Sequence, residues 1–530
     1  MRIENHERWA RFKRYYREYP EIGLSLDISR MHFDDSFLES MMQRFERAFH
    51  EMAELEAGAI ANKDEHRMVG HYWLRAPELA PTKSIAENIT RTQAQVIEFA
   101  AKVHRGEIRG TNGRFDHVIL IGIGGSALGP QFVSDALCEP ASSPMGISFL
   151  DNTDPDGLQR VFSTIRDFGT TLCLVVSKSG ATKETRNGMI ETMARYRSKG
   201  LRFSPHAVAI TGAGSELDKF AEGEGWLARF PMWDWVGGRT SQMSGVGLLP
   251  AALQGIDVTG LLAGARDCDQ LTRHRDVMRN PAALVAAMWF ASGNGQGLRD
   301  MVVLPYRDRL VLFSRYLQQL VMESLGKSKT RAGTPVNQGI AVYGNKGSTD
   351  QHAYIQQLRD GIDNFFVTFI EVLEPNDSAS IEVDPMIRSV DYLSGFMHGT
   401  REALTDGGRQ SVTITLNRAN ARTIGSLIAL FERAVGLYAS IIDVNAYHQP
   451  GVEAGKQAAS RYLETQVNVI RLLTGCKSKW LTVEDIASKL GTDADVEAVL
   501  RICVQLAASG RIVVDRDQGS PIINARFCST

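Results

Sequence analysis

Cysteine pairs, long apolar runs and a surplus of charge of either sign are all scarce in this chain. Six cysteines are scattered through 530 residues without C-x-x-C spacing. They read as reduced, mostly structural thiols in a reducing compartment. No apolar stretch approaches membrane-spanning length. The basic N-terminus (Arg2, Arg8, Arg11, Lys13, Arg14) is not followed by the apolar segment that a cleaved secretory signal requires, so a cytoplasmic location is expected. A formal net charge of −2 gives no global basic field for nucleic acid or an acidic membrane.

What is present is an ordinary globular composition, 43% hydrophobic and 23% charged, in a chain too long for one core. The first hundred or so residues read as helical, with mixed faces over 37–55. Strand-like runs then alternate with helices at 118–121, 147–150, 172–176 and 207–211. After a helix near 281–291 the rhythm restarts with strands at 301–304, 339–342 and 365–371, and with helices at 307–324 and 350–359. This predicts an α/β protein with two parallel-sheet domains, ligand loops at the strands' carboxyl ends and a cleft between the domains. Helices near 424–443 and 452–473 follow. The tail from 476 reads as helices at 481–490 and 494–509 plus a hairpin of 511–514 with 521–524, a winged-helix-like pattern. Its seven basic and seven acidic residues balance, which favours a structural or oligomerisation role over DNA binding.

The first strand empties into Gly122-Ile-Gly-Gly125-Ser126-Ala, a strand–glycine-loop–helix junction suited to an anion. Its spacing also fits a dinucleotide fingerprint, with Asp151 as the ribose ligand. One strand further on, Ser177-Lys178-Ser179-Gly180-Ala-Thr182 offers three hydroxyls, a lysine and a glycine ahead of a helix. It lacks Walker spacing and reads as a phosphate cradle, or more plainly as a helix cap. A sugar phosphate would use both loops, whereas a dinucleotide has no obvious need for the second.

Four further segments carry chemistry. Arg239, after Gly237-Gly238, suits an enediolate or carboxylate oxygen but is also an ordinary ion-pair residue. Gln319 and Glu323 share a helix face at the edge of the stripe Leu310, Phe313, Leu317 and Leu320. Burial there would raise a carboxylate's pKa and suit a general base; the plain alternative is a surface pair of Glu323 with Lys327. His352 follows the 339–342 strand at another helix start. Lys456 sits in the first turns of a helix opened by Pro450-Gly451, where the dipole would lower its pKa, or it pairs with Glu453.

Taken together, GIGGSALGP, SKSGATKET, GGRTS, ESLGK, STDQHAY and HQPGVEAGK resemble, in order, the phosphoglucose isomerase family, from about Ser84 to Arg471. The resemblance implies two sugar-isomerase (SIS) doubly wound domains at 84–275 and 276–440. Around them lie a helical N-terminal segment 1–83, a helical arm 441–475 and the tail 476–530. It implies isomerisation of glucose 6-phosphate to fructose 6-phosphate through a cis-enediol in a homodimer, with neither metal nor cofactor. Glu323 would be the base and Arg239 the stabiliser of the enediolate. His352, supplied by the partner subunit, and Lys456 would assist ring opening. Ser177, Lys178, Ser179 and Thr182 would hold phosphate, while Gly125, Ser126, Gln319 and Gln449 would line the substrate. Leu325, Thr240, His448 and Pro450 depart from the family's usual residues and point to a divergent bacterial-type branch. The competing readings are a sugar-phosphate-sensing regulator with a DNA-binding tail and a nicotinamide dehydrogenase.

Overall fold

The computed structural model describes residues 5–375, 380–476, 479–491 and 495–530. The chain divides into two compact units, Met1–His448 and Gln449–Thr530.

The larger unit holds two sheets. The first runs in the order Gly146–Leu150, His117–Ile121, Thr171–Ser177, Ala207–Thr211 and Ala228–Pro231, with every neighbour parallel. Its central strands are apolar on both faces because helices cover both, as a parallel sheet requires. Helix starts are written locally: Asp154 accepts from the amides of Asp156 and Gly157 ahead of Pro155, and Asn280 accepts from Ala283 ahead of Pro281.

The second sheet runs Tyr16–Tyr19, Leu24–Arg30, Ser411–Arg418, Phe365–Glu374, Asp300–Pro305 and Val342–Tyr343. Its last four strands are parallel and its first two antiparallel. The expectation of a helical first hundred residues therefore fails at 16–30, although helices Asp35–Glu56 and Lys83–Arg105 follow it. The missed signal is the alternation Leu24-Ser-Leu26-Asp27-Ile28-Ser29, a period of two. Asp27 is buried there because Arg401 pairs with it and the Ser29 amide donates to it at 2.8 Å. Strands Ala228–Pro231 and Ser411–Arg418 and helix Ser389–Asp406 were not foreseen, and the expected 339–342 strand shrinks to Val342–Tyr343.

Helix Ala421–Ile441 is, by length and composition, apolar enough to cross a membrane, contrary to the sequence expectation, but its apolar window is wholly buried in the fold. It carries Glu432 and Arg433 into a buried ion network. Asp269 accepts from Arg75 Nε and Nη2 at 2.6 and 2.9 Å and from Arg433 Nε at 2.8 Å. Arg75 also pairs with Glu432, Arg433 pairs with Glu56, and Arg273 closes on Glu56 at 2.8 Å. Three guanidiniums thus face three carboxylates, so charges that would each be costly to bury are mutually compensated. The same helix packs Phe431 edge-on to Phe313, centroids 5.3 Å apart, beneath the segment that bears Glu323.

In the smaller unit, helices Pro450–Gly475, Val483–Leu490 and Val496–Ala508 precede an antiparallel hairpin. Its second strand is Arg526–Ser529, paired with Ile512–Asp515, not the expected 521–524, where Ile522–Asn524 forms a 3-10 turn. The register follows burial: Phe527 is fully buried among Val469, Leu473, Ile486 and Ile502 and also bridges to Leu481. The long helix thus shares the tail's core.

Candidate functional site

Three loops at the carboxyl end of the first sheet meet one helix from the second. After strand His117–Ile121 the chain turns through Gly124–Ser126 before helix Leu128–Leu137. Gly124 has φ +58°, and a Cβ there would lie 3.1 Å from the Gln319 amide nitrogen. These two residues line a cavity of about 250 Å³ with Ala127, Asp151, Arg315 and Gln318. Gly125 is needed for a different reason. Its Cβ would fall 2.0 Å from the Gly238 carbonyl oxygen, so the first loop is locked against the Gly238–Thr240 turn. Ser241 Oγ reinforces the lock by donating to the carbonyls of Gly125 at 3.3 Å and Gly238 at 2.7 Å. Ser126 is half-buried beside them. Asp151 accepts from Gln131 Nε2 at 2.8 Å.

The second loop curls on itself. Ser177 Oγ accepts from the Gly180 amide at 3.1 Å and donates to Thr182 Oγ1 at 3.2 Å, while Ser179 Oγ accepts from the Ala181 amide at 3.2 Å. Thr182 stands at the N-cap of helix Lys183–Ser198. Lys178 leaves the loop and donates to the carbonyls of Asp234 and Val236, both at 3.0 Å. Burial pushes its ammonium pKa down, with Asp234 opposing. Two of its three N–H groups are thus committed to tying this loop to the arginine turn.

The helix expected over 307–324 is not regular. A 3-10 turn at Asp308–Leu310 and an α-turn at Phe313–Leu317 lead into a π-helical stretch, Gln318–Glu323. Leu310, Phe313, Leu317 and Leu320 are buried as predicted. π-helical stretches of this kind often occur at functional sites. Here Glu323 Oε2 lies 3.2 Å from Arg239 Nε. Arg239 is only 6% exposed, and burial lowers its pKa against the opposing pull of Glu323. Its Nη1 donates to the Ala446 carbonyl at 2.6 Å and to Ser324 Oγ at 3.3 Å. The plain Glu323–Lys327 surface pair is not what forms. Lys327 is buried and its Nζ donates to the backbone carbonyls of Glu323 and Ser324 at 2.7 and 2.8 Å.

His352 ends the 3-10 turn Thr349–His352 and is exposed. The turn is braced by Asp350, whose carboxylate accepts from the Asn345 amide at 2.8 Å and from the Tyr354 hydroxyl. Gln449 and Lys456 belong to the smaller unit. Gln449 stands exposed at the N-cap of helix Pro450–Gly475, and Lys456 Nζ lies 2.7 Å from Glu453. Among the described residues no group of three or more His, Cys, Asp or Glu is placed to hold a metal ion.

The larger unit therefore brings together Gly125, Gln319, Glu323, Arg239 and the Ser177–Thr182 loop. Sequence reasoning missed the main-chain partners of Arg239 and Lys178, which no side-chain motif encodes, and it misjudged Lys327. A lysine directly after a glycine at a helix end was the available clue.

The family model described as phosphoglucose isomerase matches residues 27–396 and 398–471. The glucose-6-phosphate isomerase of Geotalea daltonii is 57% identical over 523 residues, 98% of either chain. That of Nostoc sp. is 58% identical over 508 residues, 96% of either chain. Among solved structures, a glucose-6-phosphate isomerase from Chlamydia trachomatis superposes with a TM-score of 0.77 at 27% identity, covering 86% of this chain and 90% of its own. A hypothetical protein from Thermus thermophilus gives 0.66 at 28% identity, over 82% and 99% of the two chains.

Proposed function

The chain belongs to the phosphoglucose isomerase family, and from that premise we propose that it interconverts glucose 6-phosphate and fructose 6-phosphate. The observation that carries the reading is the Arg239–Glu323 pair, 3.2 Å apart at the meeting of the two sheets' loops. A carboxylate there takes the proton from C2 of the open-chain aldose, leaving a cis-enediolate, and returns it to C1 while the C2 hydroxyl proton passes to O1, giving the ketose. The negative charge that develops on the enediolate oxygens is stabilised by the Arg239 guanidinium, a donor already in place before reaction. Ala446 and Ser324 hold that guanidinium, so little reorganisation accompanies the charge transfer.

In this proposal the phosphate sits on Ser177, Ser179 and Thr182 and on the remaining N–H of Lys178, beside the start of helix Lys183–Ser198. Gly125, Ser126, Gln319 and Gln449 line the sugar. His352, from the partner subunit of a homodimer, and Lys456 move the ring-opening proton. A cytoplasmic location completes the reading. The regulator alternative is disfavoured because the named relatives are enzymes matched over nearly their full length. The dehydrogenase reading loses support where Asp151, its ribose ligand, is engaged by Gln131.

The test is Glu323→Gln, which keeps shape and removes the base. It is expected to bind 6-phosphogluconate normally and to lose turnover about 10²–10⁴-fold in assays of both directions. Near-normal turnover refutes the assignment.

A further inference from the structure

We infer that Lys327 is a positioning residue for Glu323, gripping the main chain at the two residues whose side chains meet Arg239. The inference rests on the proposed role of Glu323 as base.

The last carbonyls of a helix have no amide partners of their own and must find others. At this helix end the Gly326 amide reaches back to the Met322 carbonyl at 2.8 Å, leaving the next two carbonyls, those of Glu323 and Ser324. The Lys327 ammonium takes both, at 2.7 and 2.8 Å. Glu323 contacts Arg239 through its carboxylate and Ser324 through its hydroxyl, so one ammonium clamps the backbone beneath both contacts.

The clamp is itself anchored. Lys327 opens strand Lys327–Lys329, which pairs with Pro335–Gln338 in register Gln338↔Lys327. Behind it, Gly326 and Gly339 approach so closely that a Cβ on Gly339 would lie 3.3 Å from the Gly326 Cα. Lys327 is 5% exposed, a costly place for an ammonium unless its N–H groups are used. Burial, aided by Arg239 and opposed by Glu323, brings its pKa down to about 8, so it remains mostly protonated at neutral pH. The π-helical stretch ending at Glu323 departs from regular α-helical hydrogen bonding, and an anchor at its C-terminal end holds the base in place. Displacing a catalytic group by about 1 Å is enough to cost roughly 10²-fold.

The experiment compares K327M, K327R and E323Q with the parent chain, and K327M with the K327M/E323Q double variant. K327M is expected to lower kcat about 10–100-fold while KM for fructose 6-phosphate stays within about threefold, because the phosphate loop is untouched. K327R, which still donates to two carbonyls, is expected to recover kcat to within about fivefold of the parent. On the E323Q background K327M should add no further loss, since Lys327 acts through the carboxylate. If E323Q is inactive but K327M turns over within twofold of the parent, or if its loss is fully additive to that of E323Q, the inference is overturned while the base assignment stands. If E323Q itself is near normal, the base assignment fails first. Should K327M not fold, K327R decides: recovery supports the inference, and a loss of 10-fold or more overturns it.

Discussion

Gly125 and Gly238 interlock: a Cβ built on Gly125 would sit 2.0 Å from the Gly238 carbonyl oxygen, whereas a Cβ on Gly238 meets nothing within 4 Å. The first loop is thereby held against the turn that presents Arg239. The two glycines look alike in sequence and differ in what they must do.

Gly125→Ala is therefore expected to force the loops apart. Overpacking of this kind costs about 1–3 kcal/mol. Urea unfolding should show that loss, and turnover should fall more than about tenfold as Arg239 shifts. Gly238→Ala has room and should unfold within about 0.5 kcal/mol of the parent. Equal effects at both positions would contradict the interlock.

The ion network predicts unequal costs for its carboxylates. Asp269 accepts three hydrogen bonds from Arg75 and Arg433, and although burial opposes ionisation, the two arginines hold its pKa well below the usual carboxylate range. Glu432 runs the other way: burial pushes its pKa up against the pull of Arg75, and its Oε1 has no partner among the described residues. Asp269→Asn should cost about 3–5 kcal/mol in denaturant unfolding, while Glu432→Gln should cost about 1 kcal/mol. The pH dependence follows. Asp269's contribution is complete above its unfolded value near ~3.9 and is lost as pH falls towards its depressed folded value, so D269N should flatten the acid limb of stability. Glu432, with a raised folded value, contributes below its unfolded pKa and loses that contribution as pH rises through the folded one.

Lys178 joins the second loop to the arginine turn through the carbonyls of Asp234 and Val236. Lys178→Met should raise KM for either sugar phosphate about 10–100-fold, in keeping with ~1.5–3 kcal/mol for a hydrogen bond to a charged group. Inhibition by inorganic phosphate should weaken in parallel. An unchanged KM would separate Lys178 from the phosphate.

The proposed homodimer makes a complementation prediction. If His352 serves the partner's site, mixing inactive E323Q and H352A chains under exchange generates hybrids with one intact site. Half of a random mixture is hybrid, so recovery should approach about a quarter of the parent activity. No recovery, with exchange verified by mass, would place His352 within its own subunit's site or outside catalysis.

Much of this molecule is legible in its sequence. The apolar runs at 118–121, 172–176 and 207–211 are too short for helices and too uniformly apolar for an exposed sheet, so they dictate buried parallel strands. Gly, Ser and Thr clusters after two of them marked the ligand end. Leu24–Arg30 carried its strand signal openly, in a period of two, and was missed because helices surround it. The hairpin partner 526–529 was missed for another reason: 521–524 is equally apolar locally, and only Phe527's place in the core sets the register.

By itself, then, the sequence determined which residue types stand at the strands' carboxyl ends and in what order, because hydrophobic periodicity and turn chemistry are local properties. Tertiary structure alone decided their partners. Glu323 meets Arg239 rather than Lys327, Lys178 reaches two carbonyls beyond its own loop, and Lys327 grips backbone. Those contacts join segments 56–85 residues apart, or involve main-chain carbonyls that every residue possesses, so no local pattern distinguishes them. Only the packing of the two sheets, which buries these cations and obliges each N–H to find an acceptor, selects one arrangement.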